Sequence, residues 1–151
     1  MPESYISCLY AFIACLGFSL VFNLRGWNML LAAAGGALGW FVYLLTTGLQ
    51  NDLYQFFLAA LALSAYAEGC ARIQKAPVTV FQIVAILPLV PGGGIYRTME
   101  YAINGNTAVF LETGLHTLAI AGALSIGVLL VSSVVRLSVR IRLRLLESIA
   151  R

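Results

Sequence analysis

Residues 78–103 read VTVFQIVAILPLVPGGGIYRTMEYAI, an apolar run that is interrupted at its middle. An α-helix needs about 20 mostly apolar residues to cross a bilayer, and this run is long enough. Prolines remove backbone donors and glycines weaken a helix, so a regular helix does not survive where both cluster. The run therefore predicts two half-helices, about 78–87 and about 94–103, joined by an unwound segment. The residues that interrupt the run are Pro88, Pro91, Gly92, Gly93 and Gly94.

Four further apolar segments flank this run, at about 5–24, 27–47, 53–71 and 111–135. The chain has 151 residues, of which 61% are hydrophobic and 10% charged. Soluble domains carry about 25% charged residues, so this chain cannot cover a globule with polar surface. We predict an all-α integral membrane protein that forms one membrane domain over 1–151. It has about five transmembrane helices, the fourth broken at the Pro-Gly stretch near 88–94.

The distribution of basic residues predicts the orientation, because short cytoplasmic loops are enriched in Lys and Arg. If all five segments cross, the first loop, the third loop and the tail at 136–151 share one side. That side holds eight of the nine basic residues: Arg25, Arg72, Lys75, Arg136, Arg140, Arg142, Arg144 and Arg151. We expect the N-terminus outside, with no cleaved signal peptide, and the C-terminus in the cytoplasm. The tail is predicted to be an amphipathic basic helix, either a stop-transfer anchor or a lipid-sensing element.

Small residues mark two helix faces that can pack closely. Gly35 and Gly39 form a GxxxG pair, and Ala119, Ala123 and Gly127 repeat at four-residue spacing. Small side chains let helix backbones approach inside a bilayer. These faces meet either helices of this chain or those of a partner, and the sequence leaves both possibilities open.

The interrupted run is the strongest candidate for a binding site. Irregular backbone inside a bilayer is tolerated only where it is buried in protein or lines a wet cavity, and broken helices carry the sites of many transporters. Free N–H groups and the positive dipole end at the second half-helix suit a substrate carboxylate. A kink that merely shapes the bundle is the alternative. The predicted substrate-binding residues are Pro88, Pro91, Gly92, Gly93, Gly94, Tyr96 and Arg97.

Three ionisable residues within the spans are further candidates, because such groups usually face a bundle interior or a cavity. Arg97 either binds a carboxylate or pairs structurally with Glu100 three residues on. Glu68 either pairs with Arg72 four residues on or acts as a proton-coupling carboxylate. Glu68 and Glu100 are thus the proton-coupling candidates.

Other residues carry weaker signals. His116 is the only histidine and is expected to be an interfacial or packing residue, and Asn23 a helix-end cap or packing partner. An odd number of cysteines without a CxxC pair argues against a disulfide framework or a zinc site. Because HExxH, GxSxG and Walker motifs are missing, we expect no enzyme, no metal and no cofactor. A basic face with interleaved aromatics is also missing, so nucleic acid is not an expected partner.

Two stretches resemble the threonine/serine exporter family. Residues 77–81 (PVTVF) and 86–96 (ILPLVPGGGIY) are similar to its C-terminal half, which in many bacteria is a separate small membrane subunit. Residues 17–23 (GFSLVFN) resemble the same subunit. Of the family's pattern, only the Pro-Pro-Gly break and Phe22-Asn23 carry over by residue. The resemblance covers nearly the whole chain.

The resemblance implies a secondary exporter in the bacterial inner membrane, moving threonine, serine or small carboxylates outward against proton entry. It also implies a larger membrane partner with a soluble N-terminal region, and hence a hetero-oligomeric antiporter. Homo-oligomers of this chain are a further possibility. The alternative function is a non-catalytic scaffold whose GxxxG faces stabilise the larger transporter chain.

Overall fold

The described part of the protein is entirely helical, which confirms the all-α prediction. The computed structural model describes residues 2–48 and 51–149, with side chains described for 5–48 and 51–141. These residues form six α-helices and one 3₁₀ turn, and no strand occurs among them. The elements are α1 (Pro2–Val21), α2 (Trp27–Leu45), α3 (Asp52–Gln74), α4 (Val78–Ile86), the 3₁₀ turn (Leu87–Leu89), α5 (Gly92–Ile103) and α6 (Thr107–Ile149).

Three of these helices, α2, α3 and α6, are long and apolar enough to cross a membrane. The pair made by Val78–Leu89 and Gly92–Ile103 is bent by 52° and adds a fourth span if both halves cross together. The described apolar part of α1, Tyr5–Val21, is shorter than the other candidates. The fifth crossing and the orientation of the termini therefore stay predictions.

The bundle is built around α2 and α3, with α4 packed between them. Helix α1 packs on α2, α6 packs on α3, and α5 packs on α6. Two apolar clusters fill the interior. One joins α1, α2, α3 and α4 through Cys15, Ala32, Ala33, Ala67, Cys70, Ala71, Phe81 and Val84. The other joins α3, α4, the 3₁₀ turn and α6 through Ala59, Ala60, Leu63, Ala85, Leu89, Ile120 and Leu124.

The GxxxG face of α2 meets helices of this same chain. A Cβ added at Gly35 would lie 3.0 Å from the Cβ of Ala85. One added at Gly39 would lie 3.2 Å from Leu63 Cδ2 and 3.3 Å from Leu89 Cδ1. The two glycines thus let α3 and α4 approach α2, which removes this face from those available to a partner.

Helix α6 is continuous from Thr107 to Ile149 and so runs through most of the basic tail. The side chains of 142–151 lie outside the described residues, which leaves the predicted amphipathic stripe untested there. At Gly127, α6 packs tightly against α3. A Cβ there would lie 2.8 Å from the Cβ of Ala60 and 3.0 Å from the carbonyl oxygen of Phe57.

We expect Gly127→Leu to destabilise the bundle, because the carbonyl of Phe57 belongs to a helix backbone and cannot move aside. Overpacking of this kind typically costs about 1–3 kcal/mol. The matched control is Gly122→Leu on the same helix, where no heavy atom lies within 4 Å of an added Cβ. Thermal unfolding of both variants in detergent checks this. Equal midpoints for the two would show that α3 and α6 are not packed at Gly127.

Two asparagines end and begin helices. Asn23 has a φ of 56°, in the left-handed region, and Leu24 N–H donates to the Ser19 carbonyl oxygen at 2.8 Å. This is a common way to close a helix C-terminus, and it confirms the helix-end role predicted for Asn23. At α3, the side-chain oxygen of Asn51 accepts from Leu53 N–H at 3.0 Å.

Candidate functional site: the α4–α5 break and a basic groove

Pro88 begins the break by leaving one carbonyl without its helical donor. In a regular helix, residue 88 would donate its N–H to the carbonyl oxygen of Val84, and proline has no N–H to give. Leu87 N–H donates to that oxygen instead, in a tighter 3₁₀ pattern. The thiol of Cys15 donates to the same oxygen, with the Sγ atom 3.4 Å away. The Cys15 side chain of the neighbouring helix α1 thus supplies a hydrogen bond to the backbone at the break.

Pro91 repeats the effect one turn later. It cannot donate to the carbonyl oxygen of Leu87, and Val90 N–H takes its place at 3.3 Å. Gly92 N–H then donates to the Val90 carbonyl oxygen at 2.7 Å, and α5 begins. The two prolines therefore account for the 3₁₀ turn, and the predicted interruption is present.

The inner side of the break is packed into the bundle. Leu89 is 1% exposed. An added Cβ at Gly36 of α2 would lie 3.5 Å from Pro88 Cγ and would collide with the Sγ atom of Cys15. This close packing on the inner side is what a kink that shapes the bundle would produce.

The outer side of the break is open. No heavy atom lies within 4 Å of a Cβ added at Gly92 or Gly93, whereas one at Gly94 would lie 2.5 Å from Thr117 Oγ1. Ile95 N–H donates to the Pro91 carbonyl oxygen at 3.1 Å. Within the described residues, the N–H groups of Gly93 and Gly94 have no hydrogen-bond acceptor. The start of α5 therefore offers free donors and a partial positive charge.

Helix α5 carries the other predicted residues of the break on an exposed surface. Tyr96 is 70% exposed, and Arg97 and Glu100 are exposed as well. In the part of the chain that the structure describes, Arg97 and Glu100 form no ion pair. The pairing allowed by their spacing is not formed, and both charges project from a helix that packs mainly on α6.

Glu68 lies elsewhere, in a groove at the opposite end of α4. This basic groove has a volume of about 680 Å³ and lies between the end of α3, the start of α4 and the later part of α6. Its charged lining is Glu68, Arg72, Arg136 and Arg140, and its apolar lining is Ala71, Ala76, Val78, Val135 and Val139. Among the described residues, no guanidinium nitrogen lies within 4.0 Å of the Glu68 carboxylate. The predicted pair with Arg72 is therefore not formed.

The sequence did not reveal two contacts of α6. Arg136 and Arg140 line the basic groove together with Glu68. The four-residue spacing of the two arginines was the only sign of this in the sequence. His116 Nε2 lies 3.1 Å from Asp52 Oδ2 and links α6 to the start of α3. His116 thus has a specific partner.

A known protein family matches most of the chain. No solved structure matches the chain. The family described as "Threonine/Serine exporter, ThrE" matches residues 7–134, which include the break, the GxxxG face and Phe22-Asn23. The match leaves out only a few N-terminal residues and the basic tail. The chain belongs to the threonine/serine exporter family.

Proposed function

We propose that this chain is a subunit of a secondary-active exporter in the bacterial inner membrane, and that it moves threonine, serine or small carboxylates outward against proton entry. The supporting observation is the open outer side of the break, where Gly92 and Gly93 leave the backbone uncovered. The family supplies the substrate class. Broken helices with free termini near the middle of a bilayer are the usual substrate sites of secondary transporters.

The start of α5 binds the substrate carboxylate in this proposal. The free N–H groups of Gly93 and Gly94 donate to it, and the dipole of α5 favours its negative charge. Arg97 lies about one turn further on and adds a guanidinium, which can hold a carboxylate through two hydrogen bonds. Pro88 and Pro91 keep the backbone open, and Tyr96 supplies an exposed ring beside it.

Two carboxylates at opposite ends of the molecule carry the coupling protons. Glu100 lies on exposed α5, and Glu68 lies in the basic groove beyond the start of α4. Under the predicted orientation, Glu100 takes up a proton on the outer side and Glu68 releases one on the cytoplasmic side. Titratable groups inside a membrane protein commonly form such relays.

A second membrane chain covers α5 in the working exporter. Arg97 and Glu100 are charged and unpaired among the described residues, and charged groups facing lipid are costly. A larger subunit with a soluble N-terminal region is the proposed partner, and a second copy of this chain is the alternative. The scaffold function would also use the exposed surface of α5, because the GxxxG face of α2 already packs against other helices of this chain.

Efflux from preloaded cells tests the proposal. Cells express this chain with and without the larger subunit and are loaded with labelled threonine, serine or succinate. We expect efflux only with both chains, and we expect a protonophore to abolish it. Efflux from this chain alone would show that transport needs no larger subunit and would favour a homo-oligomer of this chain. No efflux in any combination would contradict export and favour the scaffold function.

A further inference from the structure

We propose that the basic groove is a binding site for a small zwitterion, a free α-amino acid that loads from the cytoplasm before it reaches the break. This inference rests on the proposed function and adds a second site to it. The groove is formed by α3, α4 and α6, which the sequence separates widely.

The charges of the groove match the two ends of an α-amino acid. Such a molecule carries a carboxylate and an ammonium group on one carbon atom. Three guanidinium groups line the groove, from Arg72, Arg136 and Arg140, and guanidinium binds carboxylate through paired hydrogen bonds. Among the described residues, Glu68 is the only acidic residue of the lining, and it is the acceptor for the ammonium group.

The Glu68 carboxylate is available for this role. Helix spacing alone would let Arg72 neutralise it, yet no guanidinium nitrogen of the described residues lies within 4.0 Å of it. The side chain is half-buried, whereas Arg72, Arg136 and Arg140 are exposed. An acid and three bases thus line one groove without being paired, which leaves both signs of charge for a ligand.

The groove is open, large enough for a small ligand and partly apolar. Its volume of about 680 Å³ accommodates a small amino acid together with water, and ligand pockets commonly measure about 300–1,000 Å³. Alanine and valine side chains form the rest of the lining. These side chains can pack against the aliphatic part of a bound amino acid, while the exposed guanidinium groups stay accessible to its carboxylate.

Helix α4 connects the groove with the break. Val78, its first residue, lines the groove, and the 3₁₀ turn at Leu87–Leu89 follows its last residue. The groove lies at the end of the bundle that the positive-inside rule places in the cytoplasm. An amino acid held there stands at the start of the same helix whose far end opens into the proposed transport site.

The test measures binding of three ligands to the purified full chain in detergent: threonine, 2,3-dihydroxybutyrate and 1-amino-2-propanol. The second lacks the ammonium group and the third lacks the carboxylate. We expect the wild-type chain to bind threonine at least about tenfold more tightly than either analogue. Glu68→Gln should abolish the preference over 2,3-dihydroxybutyrate, and Arg136→Gln the preference over 1-amino-2-propanol. Arg25→Gln, which removes a cation outside the groove, should keep both preferences.

If Glu68→Gln and Arg136→Gln weaken the binding of all three ligands equally, or do not weaken it, the groove site is overturned. A phospholipid headgroup also combines a phosphate with an ammonium group. Loss of threonine binding in phosphatidylethanolamine nanodiscs but not in phosphatidylglycerol nanodiscs would therefore assign the groove to lipid and overturn the proposal. Threonine efflux by the wild-type chains without the expected binding pattern would leave the proposed function standing and reject the groove. The expected binding pattern without threonine efflux would support the groove site and reject the proposed function.

Discussion

Gly36→Ala should destabilise the bundle by about 1–3 kcal/mol, since the new methyl group would collide with the Sγ atom of Cys15. Elsewhere in a helix the same change is favourable, because alanine has the higher helix propensity by about 1 kcal/mol. Gly122→Ala on α6, where an added Cβ meets nothing within 4 Å, is the control and should be neutral or stabilising. Thermal unfolding in detergent reads out both variants.

Cys15→Ala should rescue Gly36→Ala, and this rescue identifies the contact. Without the sulfur atom, the nearest remaining atom of residue 15 is its Cβ, at 3.4 Å from the new methyl group. Cys15→Ala alone loses the weak thiol hydrogen bond to the Val84 carbonyl oxygen and the packing of one buried sulfur atom. The double variant should therefore be more stable than Gly36→Ala alone. Additive losses would show that Cys15 and Gly36 do not touch and that α1 does not support the break.

Gly93→Leu should reduce threonine efflux by at least about tenfold, while the protein still folds and assembles. A Cβ at position 93 meets no described protein atom within 4 Å, so the effect of the substitution falls on whatever approaches the N–H groups at the start of α5. Gly122→Leu adds the same apolar bulk at another open helix position and should export normally. Efflux and co-purification with the larger subunit are measured together.

The other outcomes of Gly93→Leu are equally informative. Normal efflux would place the outer side of the break away from the substrate path. Lost co-purification would mean that the break serves assembly, as the scaffold function requires. Because Gly122→Leu controls for added bulk in the membrane, either result could be assigned to the position itself.

The sequence predicted the break because prolines act on the backbone locally. Pro88 and Pro91 remove two donors wherever the chain lies, and the bend follows from that. The second half-helix begins at Gly92, two residues earlier than expected. The contact of Cys15 with Val84 joins residues 69 positions apart, and no local rule could have predicted it.

The sequence was a poor guide to the charged pairs. The spacing of Arg97 and Glu100, and that of Glu68 and Arg72, permits ion pairs without requiring them, and neither pair is formed among the described residues. The basic groove depends on how α6 packs on α3, which brings Arg136 beside Glu68. Helix spacing describes one helix at a time and therefore misses such a site.

Substrate protection of a thiol at the break tests whether the start of α5 is a substrate site. Gly93→Cys is expressed together with the larger subunit, and its labelling by a membrane-impermeant maleimide is measured with and without threonine. The wild-type chain is the blank, since Cys15 and Cys70 are buried and Cys8 is half-buried. We predict that the thiol at position 93 is labelled and that threonine slows its labelling, whereas a thiol introduced by Gly122→Cys is not protected. Labelling at position 93 that threonine leaves unchanged would contradict a substrate site at the start of α5.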